Sequence, residues 1–261
     1  VEVIGVYSPT PAKRNAFSAK SQALGLGDCV PFDTLEALLC APGLDAVWVL
    51  TPNYTRKEVI ATIANCVSCG ASSIKALASE KPLARNLGEA REILAAVEGA
   101  GLLHGYLENQ VFAPAVVQGK EIIWKRAVPS GGRPYLARAA EEHCGPHESW
   151  FWDGETQGGG VLSDMMCHSV EVGRYLLTEP GAQRSSLTLV SANATVANLK
   201  WTRPHYAQSL QQSMGLNFDF RQSPVEDFAR GVLEFEDREG NCLLVEASTS
   251  WSYVGAGLRI V

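Results

Sequence analysis

The sequence lacks several features that would assign it to common classes of protein. No G-x-G-x-x-G fingerprint occurs in its 261 residues, so the usual glycine cradle for a dinucleotide pyrophosphate is missing from it. There is no run of basic residues and the formal net charge is −6, which argues against nucleic acid or an anionic membrane surface as partner. No apolar stretch reaches membrane-spanning length, and no signal-peptide pattern opens the chain. We therefore expect a cytoplasmic protein.

Cysteine use excludes a disulfide scaffold and argues against a metal centre. The seven cysteines are scattered and odd in number, so reduced thiols are the simpler interpretation. Zinc ligands usually come as matched close pairs, but Cys66-x-x-Cys69 has no second pair and its spacing suits the core side of a helix. We expect no metal. His143 and His147, which stand close to Cys144 in the sequence, fit a polar substrate pocket better than a metal site. We expect this pocket to be formed by His143, His147, Trp150 and Trp152.

The composition is that of a folded protein, but both ends have the character of interior strands. Apolar residues make up 46% of the chain and charged residues 19%, which is typical of a globular domain. The chain opens directly in the strand-like run Val1–Tyr7 and stops in a second one at Leu258–Val261. Natural termini are more often polar and frayed. We expect the chain to be a piece of a longer protein.

Short apolar strands alternate with helices over the first part of the chain. This alternation is typical of a parallel, doubly wound sheet and so of an α/β fold. After about Phe112 the pattern changes, because longer strand-like runs follow one helix and a hairpin-type turn separates the last two. We therefore expect a parallel-sheet domain at residues 1–112 and an α+β domain with a mostly antiparallel sheet at residues 113–261.

Polar side chains follow three of the predicted strands, at the edge where open parallel sheets bind ligands. An acidic residue after the opening strand would bind the ribose 2′-hydroxyl of NAD, whereas Ser8 with basic neighbours favours the 2′-phosphate of NADP. An ordinary turn before a basic helix start is the alternative. This first group consists of Ser8, Thr10, Lys13 and Arg14. The other two groups are Thr51-Pro52-Asn53 and Glu80-Lys81-Pro82, in which Lys81 is either a chemically active amine or a surface lysine before a turn.

A glycine-rich stretch leads into the helix that we take as the centre of the site. Gly158-Gly159-Gly160 suits a flexible entry at which a substrate approaches the backbone, and apolar residues then recur at helical spacing to about Leu177. A carboxylate one turn before an imidazole can fix its tautomer and raise its basicity, as a proton-transfer site needs. The alternative is a polar stripe that meets solvent. The residues on this face are Asp164, His168, Glu171 and Tyr175.

In their order and spacing, three motifs resemble those of the Gfo/Idh/MocA family of NAD(P)-dependent oxidoreductases. They are Thr51-Pro52-Asn53, Glu80-Lys81-Pro82-Leu83-Ala84, and Gly158-Gly159-Gly160 with Asp164 and His168. The resemblance covers nearly the whole chain. It implies a partial Rossmann domain for dinucleotide binding, then an open-sheet domain for substrate binding and oligomerisation. It also implies a glycine fingerprint before Val1 and further chain after Val261.

The resemblance also implies a chemistry: oxidation of a secondary alcohol on a sugar, inositol or related polyol, or the reverse reduction, with NAD or NADP. By motif, Lys81 lies near the nicotinamide and substrate, while Asp164 and His168 face the transferred hydrogen. We expect His168 to be the general acid/base, Asp164 to orient it, and Lys81 to hydrogen-bond the substrate oxygen. Thr51, Pro52, Asn53 and Glu80 would flank the nicotinamide. A homo-oligomer formed through the open sheet is expected.

The chain departs from the family pattern at three places. Tyr54-Thr55-Arg56 stands where a histidine is common, Met166 where a glycine is common, and Glu171 where an aspartate is frequent. None of these departures removes the expected catalytic residues Lys81, Asp164 and His168. Two other functions stay open: NAD-dependent glycoside hydrolysis through transient oxidation, and a non-catalytic binding or regulatory role. Retention of Lys81, Asp164 and His168 argues against the last of these.

Overall fold

The computed structural model describes residues 1–253 and 257–260. The chain forms two compact units, Val1–Leu107 and Glu108–Val261. No helix in the described residues is long and apolar enough to cross a membrane.

The first unit is built from short parallel strands and helices in alternation. Its elements are β1 (Gly5–Tyr7), α1 (Pro11–Ala23), β2 (Val30–Phe32), α2 (Leu35–Leu39), β3 (Ala46–Val49), α3 (Asn53–Ser68), β4 (Ala76–Glu80), α4 (Leu87–Gly99) and β5 (Leu103–Leu107). Strands β3, β4 and β5 form one parallel sheet in that order, and β1 pairs in parallel with β2. The predicted parallel sheet is therefore confirmed.

Apolar side chains from two helices cover the sheet of the first unit. Ile60 and Ile63 of α3, with Ile93 of α4, pack in one cluster with Val49 and Leu77 of the strands, and all five are at most 4% exposed. Burying side chains of this size contributes about 1.5–3 kcal/mol each. This packing holds the ends of β3 and β4, and the loops that follow them, in fixed positions.

The second unit is a mixed sheet with one long helix on it. Its elements are α5 (Pro114–Ile122), α6 (Val128–Gly131), β6 (Leu136–Glu142), α7 (Gly154–Gln157), α8 (Val161–Leu177), β7 (Thr188–Ala197), α9 (Pro204–Met214), β8 (Phe228–Glu236), β9 (Cys242–Ser250) and β10 (Gly257–Ile260). A π-helical segment, Ile123–Ala127, joins α5 to α6. The sheet order is β10-β6-β9-β8-β7, and among the described residues β6 and β9 are the one pair of parallel neighbours in it. The predicted mostly antiparallel sheet is confirmed.

Helix α8 lies close against strands β6 and β9 because it presents a glycine to the sheet. A Cβ atom added at Gly173 would lie 2.5 Å from Cγ1 of Val245, so a larger residue would push the helix and sheet apart. Val245 is fully buried at this contact, and Val172, which precedes Gly173 on the helix, is also fully buried. On the same helix, Ser169 Oγ donates a hydrogen bond to the Ser248 carbonyl of β9 at 2.9 Å. Together these contacts fix the position of α8.

Candidate active site

Two loops of the first unit are tied together by a buried arginine. One Nη atom of Arg56 donates to the carbonyl of Thr51 at 2.6 Å, and the other donates to the carbonyl of Pro82. The side chain of Arg56 is buried, and this burial lowers its pKa to about 10, while the negative groups of Glu80 and Tyr106 oppose the shift. Arg56 therefore connects the loop after β3 to the loop after β4. The sequence marked this position only as a departure from the family pattern.

The loops after β3 and β4 carry polar atoms that could hold the nicotinamide end of a dinucleotide. Asn53 is buried at the start of α3, whereas Glu80 at the end of β4 and Lys81 directly after it are partly exposed. Within the described residues, the buried Oγ1 atom of Thr51 has no hydrogen-bond partner. Such an atom costs free energy unless a ligand or water satisfies it. The carboxamide of nicotinamide carries both donors and an acceptor that suit these groups.

Most of the side chains predicted to bind cofactor after β1 contact other groups of the protein. Arg14 forms an ion pair with Asp33, and its Nη1 atom donates to the Ser8 carbonyl at 3.2 Å. The Ser8 hydroxyl accepts from the Thr10 backbone N–H at 3.3 Å. The charge of Arg14 is thus balanced by a carboxylate that the sequence had not singled out, which weakens the argument for a 2′-phosphate. Lys13 is exposed.

The last of the three glycines before α8 makes room for a neighbouring chain segment. A Cβ atom added at Gly160 would lie 2.1 Å from the Glu226 carbonyl oxygen. Glu226 Oε1 accepts hydrogen bonds from the backbone N–H groups of Gly160 at 3.0 Å and Leu162 at 3.1 Å, so it caps the helix. Gly160 therefore serves this close backbone approach.

His168 of α8 is held by a carboxylate. Its Nδ1 atom lies 2.6 Å from Oε1 and 2.8 Å from Oε2 of Glu108, and both side chains are buried. Oε1 of Glu108 also accepts from the Gln110 backbone N–H at 3.0 Å, which fixes the carboxylate. An ionised carboxylate only accepts hydrogen bonds, so Nδ1 carries the proton and Nε2 keeps its lone pair. The Nε2 atom lies 3.9 Å from Glu141 Oε2.

The carboxylate at Nδ1 is that of Glu108, whereas the sequence pointed to Asp164 for this role. Asp164 is buried on the same helix, and its Oδ2 atom accepts a hydrogen bond from the Trp251 indole N–H at 3.3 Å. Glu108 was missed although it follows β5 directly, in the position where polar residues were noted after other strands. Applying the same strand-end rule to β5 would have found it.

The polar side chains that follow His168 on the same face of α8 form contacts with other parts of the second unit. Glu171 pairs with Arg174 and with Arg184, the latter at 3.1 Å. The ammonium of Lys120 lies 3.8 Å from the ring centre of Tyr175, a cation–π contact. Glu171 and Tyr175 are therefore engaged in contacts that hold α8 to neighbouring segments.

The predicted substrate pocket is corrected at one of its four residues. Trp152 is 1% exposed and packs at ring-centre distances of 5.1 Å against both Trp201 and Trp251, so its faces are covered and cannot stack on a sugar. Trp150 is partly exposed and stacks on Phe151. Of the two histidines, His147 is exposed, and Nδ1 of His143 accepts the Gly145 backbone N–H at 3.0 Å.

The chain combines a Rossmann-like parallel-sheet unit, an open-sheet unit and, in the second unit, a buried histidine–carboxylate pair. Comparison with protein families supports this two-unit architecture. Residues 1–106 match the oxidoreductase family with an NAD-binding Rossmann fold, and residues 125–261 match the GFO/IDH/MocA C-terminal domain. The chain belongs to the Gfo/Idh/MocA family.

Two relatives carry names that refer to sugar derivatives. The 1,5-anhydro-D-fructose reductase of Ensifer adhaerens is 31% identical over 189 residues, which cover 72% of this chain and 52% of that protein. The D-glucoside 3-dehydrogenase of Escherichia coli (strain K12) is 29% identical over 241 residues, or 88% of this chain and 60% of that protein. The chain thus spans only part of the length of these relatives.

Solved structures confirm the fold. GenD2 from gentamicin A biosynthesis, in complex with NAD, aligns with a TM-score of 0.68 at 23% identity and covers 100% of this chain and 61% of that one. Levoglucosan dehydrogenase, in complex with NADH and levoglucosan, aligns with a TM-score of 0.68 at 19% identity and covers 99% of this chain and 62% of that one.

Proposed function

We propose that the protein carrying this chain transfers a hydride between a secondary alcohol carbon of a sugar, inositol or related polyol and a nicotinamide cofactor. The observation that carries this proposal is the buried contact between Glu108 and His168, because it leaves a histidine with a fixed tautomer and a basic Nε2 atom. The names of the sugar-active relatives support the substrate class, and the NAD-binding family model supports the cofactor.

In oxidation, the substrate loses a hydride from carbon and a proton from the hydroxyl group. Thr51, Asn53 and Glu80 would hold the nicotinamide end of a cofactor, which would supply the acceptor for the hydride. His168 accepts the hydroxyl proton at Nε2, and Glu108 stabilises the resulting imidazolium through Nδ1–H. Lys81 donates a hydrogen bond to the substrate oxygen and stabilises the charge that develops on it. Reduction runs through the same groups in reverse.

The proposed pocket for the substrate draws on His143, His147 and Trp150, because Trp152 belongs to the core. Aromatic and imidazole rings provide both a flat face and polar edges, which suits a hydroxyl-rich ring. Asp164 stays in the proposal as a second buried carboxylate on α8, where it anchors the helix through Trp251.

A homo-oligomer formed through the outer face of the second sheet is also proposed. This face carries polar and charged side chains of central strands, including the partly exposed pair Arg138 and Glu246, joined at 2.6 Å. Light scattering of the purified protein measures the mass directly. A monomer at micromolar concentration would contradict this part of the proposal.

The function is tested with the chain expressed together with whatever natural sequence flanks it. Formation of reduced nicotinamide would be followed by absorbance with NAD and NADP across sugars, inositols and anhydrosugars. Substrate-dependent reduction of either cofactor is the expected result. Release of an alcohol from a glycoside with no net reduction would favour the glycosidase alternative. Cofactor binding with neither activity would favour a non-catalytic role.

A further inference from the structure

We propose that Glu141 selects the substrate by accepting a hydrogen bond from a hydroxyl group next to the one that reacts. This role rests on the proposed function and adds a substrate class to it: sugars or polyols with two free hydroxyls in gauche positions on adjacent carbons. The imidazole of His168 lies between two carboxylates, with Glu108 at Nδ1 and Glu141 at Nε2. Glu108 holds the ring, and Glu141 faces the atom that reacts.

The two atoms that face each other on the reactive side of the ring are both hydrogen-bond acceptors. Nε2 of His168 lies 3.9 Å from Oε2 of Glu141, which is longer than a hydrogen bond. Since Nδ1 carries the ring proton toward Glu108, Nε2 presents a lone pair, and the carboxylate presents another. The side chains of His168 and Glu141 are only 5% and 15% exposed, so bulk water screens their repulsion poorly. A ligand that satisfies this pair of acceptors supplies two donor hydrogens.

A polyol with hydroxyls on adjacent carbons meets this requirement. The reacting hydroxyl has one hydrogen, which the reaction delivers to Nε2, so the second donor is another hydroxyl of the same molecule. Gauche hydroxyls on neighbouring carbons have oxygens about one hydrogen-bond length, ~2.8 Å, apart. With contacts of similar length to Nε2 of His168 and Oε2 of Glu141, such a pair spans the observed 3.9 Å. Two trans-diaxial hydroxyls point in opposite directions and cannot reach both atoms.

Glu141 is held in place by the sheet and by one side chain. It lies on β6, where its backbone is flanked by Thr249 of β9 on one side and by β10 on the other. The side-chain amide of Gln110 donates to Oε1 of Glu141 at 3.5 Å, a long hydrogen bond that leaves Oε2 facing the histidine. The backbone N–H of Gln110 also donates to Glu108. One residue thus orients both carboxylates.

A further polar atom lies on the same face of the sheet. Residues paired across neighbouring strands point to the same side, so the side chain of Thr249 lies beside that of Glu141. Thr249 is fully buried, and in the part of the chain that the structure describes its Oγ1 atom has no hydrogen-bond partner. Such a hydroxyl costs free energy until a ligand or water contacts it. The surroundings of Glu141 therefore suit a ligand with several hydroxyl groups.

The test compares Glu141→Gln with Glu142→Gln on substrates that differ by one hydroxyl. Glu142 is the matched control, because it is the next residue of β6 and its side chain points to the opposite face of the sheet. The probes are methyl glucosides, inositols and 1,5-anhydrohexitols, each beside analogues in which one hydroxyl is replaced by fluorine. Fluorine is close to a hydroxyl in size but has no donor hydrogen.

Binding and turnover are measured separately, on the chain with its natural flanking sequence. Calorimetry gives the affinity of each probe in the presence of reduced cofactor, with which an alcohol cannot react. Absorbance of reduced nicotinamide gives kcat/KM with the oxidised cofactor. Fluorine on a carbon next to the reacting one should lower both quantities by about 10- to 100-fold in the wild-type and Glu142→Gln proteins, as expected for loss of a hydrogen bond to a charged group.

Glu141→Gln should remove this discrimination. The parent substrate should fall to about the level of its fluorinated analogue, and the analogue should lose little more, because its contact with Glu141 is already gone. A residue that only supports the fold would weaken both substrates by the same factor. If Glu141→Gln does not fold, Glu141→Asp provides a second test, since it keeps the charge but withdraws the carboxylate by one methylene group.

Each other outcome rejects a different claim. Equal discrimination in Glu141→Gln and Glu142→Gln, or wild-type turnover of every fluorinated analogue at the parent rate, would overturn the role of Glu141 and leave the proposed function intact. Polyol binding that depends on Glu141 without any reduction of cofactor would retain this role as a binding contact and reject the proposed function. If no polyol binds at all, both are rejected.

Discussion

Nδ1 of His168 lies 2.6 Å from Oε1 of Glu108, a contact between the middle of helix α8 and the residue that follows strand β5. Both side chains are buried, so water does not compete for this hydrogen bond. The contact fixes one ring nitrogen as a donor and leaves the other to react. It is the feature of this chain that most directly indicates proton transfer.

Glu108→Gln should reduce the rate of the chemical step by about 100-fold, because the imidazolium formed in the reaction loses its buried counter-charge. KM for the alcohol should change little, since Glu108 acts through His168. Steady-state kinetics separates the two parameters. The exposed Glu98→Gln variant is the control. An unchanged kcat with a raised KM would assign Glu108 to substrate binding instead.

Arg56→Met should lower the free energy of unfolding by about 3 kcal/mol, because the carbonyls of Thr51 and Pro82 lose a charged donor in a buried place. Urea unfolding measures the change. Arg91→Met, on the exposed side of α4, should shift stability by less than about 0.5 kcal/mol. Equal stabilities of the two variants would show that Arg56 does not hold the loops together.

Two glycine-to-alanine substitutions should have opposite effects on stability. Gly173→Ala places a methyl group 2.5 Å from Val245 Cγ1 and should destabilise the protein by about 1–3 kcal/mol. Gly119→Ala lies in α5 with open space around it and should stabilise the protein by about 0.5–1 kcal/mol. Thermal unfolding of both variants measures the sign of each change in stability. A stable Gly173→Ala protein would mean that α8 is less closely packed than described.

Trp152 and Trp150 should respond differently to substitution. Trp152→Ala removes a core ring that touches Trp201 and Trp251 and should cost about 3–5 kcal/mol of stability. Trp150→Ala should cost less and instead raise KM for the sugar, in accordance with the proposed pocket. Unfolding and kinetic measurements on the pair decide the assignment. A normal KM in Trp150→Ala would remove this residue from the pocket.

Local periodicity was sufficient to predict the helices with a clear apolar face. The stretch after Gly158-Gly159-Gly160 was expected to form a helix to about Leu177, and Val161–Leu177 is observed. Helix α9 was missed because it is mostly polar. Only two of its side chains, Ala207 and Leu210, are buried, which is too narrow a stripe to stand out.

The contacts that define the site were less accessible from the sequence. Residue spacing placed Asp164 one turn before His168, but Nδ1 of the imidazole faces Glu108, which is brought to it by the tertiary fold. Trp152 was likewise placed in a pocket because aromatic faces suit sugar rings, yet the aromatic rings that bury it come from distant segments. Neither relationship has a local pattern that could reveal it.

The central claim is tested most directly by hydride transfer in His168→Ala, with the exposed His104→Ala as control. Reduced nicotinamide would be measured in single turnovers with the best substrate of the panel, and cofactor binding would be measured separately by fluorescence. The account predicts a rate at least about 100-fold below that of the control, with cofactor binding retained. Turnover at the control rate in His168→Ala would contradict it.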